Sequence, residues 1–229
     1  MNEPMTYKLI RSNRKTIAIH ITKDAKVEVR APFKAKQKEI DQFISLKRGW
    51  IEKHLKRISE VQEDRQNFEL NYGDHLRLMG EKVPLVARAG DKVGFDGQCF
   101  YLPPRFPPDE IKLAVIGLYR QIAKQVLTDR TFAYAKDMRL QPTAVKVNSA
   151  KTRWGSCSNK GSINYSWRLI MAEEEIIDYV IVHELAHLKE LNHSPRFWAI
   201  VESILPDYKK RQKKLKEFQK EIASENWRA

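Results

Sequence analysis

A chain of 229 residues with 42% hydrophobic side chains, nine Gly and ten Pro can bury one large core or two small ones, which excludes disordered, collagen-like and small disulfide-scaffold proteins. Lys plus Arg outnumber Asp plus Glu by 42 to 29, a formal charge of +13, so the surface either attracts polyanions such as nucleic acid and other acidic partners or is simply a solvated basic surface. Two cysteines, Cys99 and Cys157, are too few for a secreted framework and point to a reducing cytoplasm; Met1-Asn2-Glu3-Pro4 lacks a signal-peptide pattern, and no apolar run approaches the roughly 18 residues of a membrane span.

From Tyr7 to Arg30 the pattern alternates, with Ile17, Ile19 and Ile21 on one side, then Val27 and Val29, and Lys23-Asp24-Ala25-Lys26 as the polar break. This predicts strands joined by a hairpin. After Pro32, the positions Ile40, Phe43, Ile44, Trp50, Ile51, Leu55 and Ile58 recur at helical spacing and predict a long amphipathic helix ending near Asp64. Between Asn71 and Leu102, five glycines punctuate short apolar stretches, the signature of further strands and turns. Pro103-Pro104 and Pro107-Pro108 form the clearest linker, and the expected domains are 1–104, an N-terminal α+β region, and 105–229. Asp109 and Glu110 open a helix with the stripe Ile111, Val115, Leu118, Ile122 and Val126, running to about Arg139. A strand-rich stretch from Val145 to Leu169 follows, then three helices over Glu173–Leu191, Pro195–Leu205 and Asp207–Ala223. There is no internal repeat, and the oligomeric state is left open.

The segment His183-Glu184-Leu185-Ala186-His187 fits the H-E-x-x-H pattern on a predicted helix. At about 100° per residue, His183 and His187 lie only about 40° apart and one turn along, so both imidazoles can reach one metal ion. Glu184 falls about 60° beyond His187, beside the ion rather than on it, where a general base can take a proton from a water. Zinc meets the remaining need by lowering the pKa of water and polarising a substrate carbonyl. The helix around the motif is apolar on most of its circumference, with Asp178 and Lys189 marking its wet stripe. Two unpartnered imidazoles would be costly in such a setting; hydrogen-bonded core histidines are the bland alternative.

A catalytic zinc takes three protein ligands and one open position. Leu191-Asn192 ends the helix, and Ser194-Pro195 reads as an N-cap followed by Pro at the first helical position, which leaves His193 in the tight turn between them. His193 is therefore assigned as the third ligand. Glu202 on the next helix and Glu190 on the His face are its rivals, and Glu190 suits an outer-shell role better.

The runs Arg153-Trp154-Gly155-Ser156-Cys157-Ser158, Gly161-Ser162-Ile163, Trp167-Arg168-Leu169, Ile177 to His187, Asn192-His193-Ser194-Pro195-Arg196-Phe197-Trp198 and Pro206-Asp207-Tyr208 closely resemble the YgjP-like metallopeptidase family. The resemblance is most specific from Val147 to Leu215, and Arg14-Lys15-Thr16-Ile17 and Val27 to Pro32 also look like the family's opening strands. It implies a C-terminal zincin-like metallopeptidase region, with His183, His187 and His193 as zinc ligands and Glu184 as catalytic base. One position departs from the pattern: Ser166 stands where the family is expected to carry Asn, which weakens any carry-over of substrate contacts. The spacing of the third histidine also resembles SprT-like proteases that act on DNA-bound proteins, an analogy of motif only.

Other features carry less. Cys157 as a fourth ligand would close the site and make the zinc structural, but it reads better as a packed or cleft-lining thiol. Tyr165, Tyr208 and Arg196 are candidates for an oxyanion donor, although each of these residue types more often serves simply as packing or surface. Trp154, Trp167 and Trp198 are expected to pack around the site, while His20, His54 and His75 receive no role. The run Lys209-Lys210-Arg211-Gln212-Lys213-Lys214 with Lys216 is either a phosphate-binding strip or the solvated face of an amphipathic helix. The sequence thus predicts an α+β, cytoplasmic, zinc-dependent peptidase acting on peptides or proteins. Its alternatives are a protease directed to nucleic-acid-bound proteins and a non-enzymatic binding module with structural zinc.

Overall fold

The computed structural model describes residues 5–227, so Met1-Asn2-Glu3-Pro4, read above for a leader, lies outside the described residues. The architecture is α+β, as expected, and the contacts divide it into two compact units. The first runs to Phe68 and takes in Ala223–Asn226; the second spans Glu69–Ile222 and takes in Trp227. Among the described residues no helix is long and apolar enough to cross a membrane.

In the first unit, β1 (Lys8–Ser12), β2 (Ala18–Ile21) and β3 (Val27–Pro32) form a sheet of order β1-β3-β2. The hairpin is β2–β3: Thr22 N donates to Lys26 O at 2.9 Å, and Ala25 closes the turn with a φ of 56°. β1 pairs parallel to β3, a contact that local alternation could not reveal. The helix α1 (Gln37–Gln66) begins where Glu39 reaches back to accept from Lys36 N at 3.1 Å. Its core-facing strip is narrower than the sequence stripe. Ile40, Ile44 and Ile51 pack on Val27, Val29 and Ala31, whereas Trp50 is 45% exposed because a three-stranded sheet covers only one narrow face of a helix.

The second unit begins with β4 (His75–Leu78), β5 (Glu81–Ala87), β6 (Gly94–Phe95) and β7 (Phe100–Leu102), in the order β4-β5-β7-β6. Pro107 caps α2 (Pro108–Asp137), and Tyr119 of α2 packs on Phe100 and donates its hydroxyl to Arg77 O at 2.7 Å. The proline-rich stretch expected to separate two domains therefore falls inside this unit, as a tight strand-to-helix connection. The buried ladder of α2 passes through Ile111, Val115, Tyr119, Ala123, Leu127, Thr131 and Ala135, stepping by four and leaving Ile122 and Val126 half-buried at its margin.

The strands β8 (Ala144–Asn148), β9 (Gly155–Cys157) and β10 (Ser162–Ser166) form the sheet next to the motif, ordered β8-β10-β9, with β10 parallel to β8 and antiparallel to β9. A 3₁₀ turn, Trp167–Met171, leads into α3 (Glu174–Ala186), followed by α4 (Pro195–Ile204) and α5 (Tyr208–Glu221). α3 is shorter than the expected helix because its ladder tightens at the end. Leu188 N and Lys189 N bond back three residues, to Leu185 O and Ala186 O, each at 3.0 Å. Asp178, expected on a wet stripe, accepts from Arg130 of α2 at 2.9 Å and is only 19% exposed.

Candidate metal centre

α3 carries His183 in its last turn and is capped by His187 on the same side, and the turn between α3 and α4 brings back His193. The turn is built as its residue types require: Ser194 caps α4 by accepting from Phe197 N at 3.3 Å, with Pro195 at the first helical position. One ring nitrogen from each histidine lies within 4.8 Å of the other two, and Nε2 of His193 stands 3.0 Å from Nε2 of His183. Among the described residues this is the only group of three or more such side chains that could hold a metal ion. The carboxylates of Glu190 and Glu202 and the thiol of Cys157 are not in it.

His183 and His187 are prepared as neutral donors. Burial, with the neighbouring His187 and His193, pushes His183 down to about 3. His187 is also lowered by burial, although Glu190 O partly opposes this by accepting from His187 Nδ1 at 3.0 Å. A carbonyl can only accept, so the proton sits on Nδ1 and the Nε2 lone pair is left free. Glu190 thus acts through its main chain rather than its carboxylate. Three converging ring nitrogens, one of them with its tautomer fixed, fit a tetrahedral dication with one open position.

Aromatic packing surrounds the three rings. Phe197, fully buried, lies 4.9, 4.6 and 4.8 Å from the ring centroids of His183, His187 and His193. Trp198 stacks on His193 at 5.6 Å and 25°, and Tyr208 stacks on Trp198 at 5.2 Å and 16°. Trp198 packs at the site as expected, whereas the contacts of Phe197 and Tyr208 were not read from the sequence; for Phe197 the signal was its spacing four residues after His193. Trp167 lies instead in the core against Tyr119, and Trp154 packs on Phe218.

Glu184, the neighbour of His183, is 6% exposed. Its side chain lies flat on β9, where a Cβ built on Gly155 would stand 2.6 Å from both Cγ and Oε1 of Glu184. Only glycine leaves room for this carboxyl group. Burial pushes it up to about 7, against a lowering by the Arg153 charge. Cys157, two residues along β9, is raised by burial and then by the Glu184 charge, so it is a protonated thiol beside the carboxyl. Of the three oxyanion candidates, Tyr165 is fully buried and takes a hydrogen bond from Thr131 Oγ1 at 3.1 Å, Tyr208 is buried in the aromatic stack, and Arg196 is exposed. Ser166, the departure noted above, is buried and donates to Ala150 O at 2.8 Å.

A family model described as YgjP-like, metallopeptidase domain, matches residues 15–218. Among solved structures, the metallopeptidase zymogen of Pyrococcus abyssi abylysin is 27% identical over 39% of this chain and 91% of that one, with a TM-score of 0.37. The zymogen of Methanocaldococcus jannaschii jannalysin is 22% identical over 42% of this chain and 97% of that one, also with a TM-score of 0.37. No curated protein matches the sequence.

Proposed function

Since the chain belongs to the YgjP-like metallopeptidase family and is a hydrolase of that kind, we propose that it is a zinc peptidase in which His183, His187 and His193 hold the ion and Glu184 is the general base. The observation that carries this reading is the convergence of three ring nitrogens within 4.8 Å, from the end of the helix that presents Glu184 and the turn after it. Three donors rather than four favour a catalytic ion over a structural one. When bound, zinc lowers the pKa of a water and polarises the scissile carbonyl.

Glu184 then takes the proton from the attacking water and delivers it to the leaving amine. A carboxyl poised at about 7 can do both near neutral pH, because neither protonation state is strongly favoured. Gly155 lets that carboxyl lie against β9, which pairs with β10 on one side and is the edge of its sheet. A substrate peptide joining that free edge as a further strand would lie beside Glu184, its main chain held by backbone hydrogen bonds. Both cysteines are free, which suits a reducing cytoplasm.

Glu184→Gln tests the mechanism. The variant should retain bound metal and lose peptide hydrolysis by about 10²-fold or more, the scale of a positioned general base, measured on a fluorogenic peptide library. Full hydrolysis by this variant would remove Glu184 from the chemistry.

A further inference from the structure

The helix α5 divides its cations by face. Arg211 and Lys214 turn towards α3: Arg211 donates to Asp207 at 2.9 Å and to Glu175 O at 3.2 Å, while Lys214 is bonded to Glu173 at 2.7 Å and to Glu175. They lie on the same side as the buried Tyr208 and Phe218. Lys209, Lys213, Lys216 and Lys220 are exposed and follow one another at intervals of four, three and four residues. At about 100° per residue these four fall within about 60° of one azimuth, opposite the packed face, over about 16 Å of helix. Among the described residues, Lys213 alone of the four has a carboxylate within 4 Å, Glu217 at a loose 3.9 Å with both side chains more than half exposed.

We propose that this outward stripe of α5 binds the phosphate backbone of double-stranded nucleic acid without reading its sequence. A duplex presents one charge per about 1.7 Å of axis, so a rigid row of four ammonium groups about 5 Å apart meets several phosphates at once. No guanidinium lies on the stripe to clamp a guanine edge, since Arg211 is held on the opposite side. No aromatic ring lies on it to stack an unpaired base, which disfavours single strands. No large exposed apolar side chain of the described residues belongs to α5, so the helix has nothing to insert between lipids. This inference is independent of the peptidase reading, and its test involves no catalysis.

The experiment is duplex binding by fluorescence anisotropy, using the full chain and a labelled duplex of arbitrary sequence across a potassium chloride series. Three proteins are compared: wild type, the stripe variant Lys209→Gln, Lys213→Gln, Lys216→Gln, Lys220→Gln, and a control with the same loss of charge on α1, Lys38→Gln, Lys47→Gln, Lys53→Gln, Lys56→Gln. Circular dichroism verifies that each is folded; exposed Lys→Gln changes remove no buried contact. If the stripe is the site, wild type binds with a slope of log K against log salt that falls by roughly 3 to 4 in the stripe variant, about 0.9 per lysine, and the control keeps the wild-type slope. Equal losses in both variants, an unchanged stripe variant, or binding to phosphatidylserine vesicles but not to duplex would each overturn the proposal.

Discussion

Glu184 and Gly155 form the tightest side-chain constraint around the motif. A methyl group at position 155 would meet Cγ as well as Oε1 of Glu184 at 2.6 Å, so rotating the carboxylate tip cannot relieve the clash. Gly155→Ala should therefore displace the carboxyl by close to an ångström and reduce kcat by about 10²-fold, with metal content unchanged. Wild-type turnover in this variant would show that the carboxyl position does not matter. His193 poses the opposite problem, since it is exposed on a turn and needs something to hold its ring. The stack of Trp198 and Tyr208 supplies it. Trp198→Ala should weaken zinc binding about 10- to 100-fold in competition with a chelating dye, and Trp198→Phe should recover most of the loss, as for other residues that orient ligands. The motif residues were legible in the sequence because helical geometry alone places His183 beside His187. Trp198 was expected at the site as well, but Gly155 and Phe197 were not, because they meet the motif only through tertiary packing.

At the scale of elements, α3 is held between α2 and α5 by charge as well as by apolar surface. Arg130 bridges from α2 to Glu174 at 2.8 Å and to Asp178 at 2.9 Å, and Lys214 of α5 bonds Glu173 and Glu175 at the start of the same helix. The Lys214 hydrogen bond holds the Glu175 carboxyl below its ordinary value. A carboxylate depressed in the folded state contributes stability that is present above its unfolded pKa of about 4.3 and lost as the pH falls through its folded value. Lys214→Met should accordingly lower the unfolding free energy at pH 7 by no more than about 1 kcal/mol, as exposed pairs do, and the difference from wild type should vanish in acid. Urea titrations between pH 3 and 7 measure this, and a difference that persists in acid would assign the effect to packing. The helices and the β2–β3 hairpin were readable from periodicity and turn chemistry. The parallel pairings of β1 with β3 and β8 with β10 were not, because the partners are distant in sequence and local alternation does not encode which strands meet.

At the scale of the whole molecule, the fold delivers three imidazoles to one place by means of a single helix and the turn after it. α2, α4, α5 and β9 pack on that helix: eight apolar residues of α3 are 4% exposed or less, which is why His183 and His187 at its end are depressed and neutral. On this account the metal is catalytic rather than structural, so the packed helices should outlast its removal. The most direct test is elemental mass spectrometry of untagged protein beside His193→Ala, with circular dichroism before and after chelation. The account predicts about one zinc per wild-type chain, sharply less in the variant, and a far-UV spectrum that survives chelation. A wild-type chain that binds no transition metal after zinc is offered and the excess removed would contradict it.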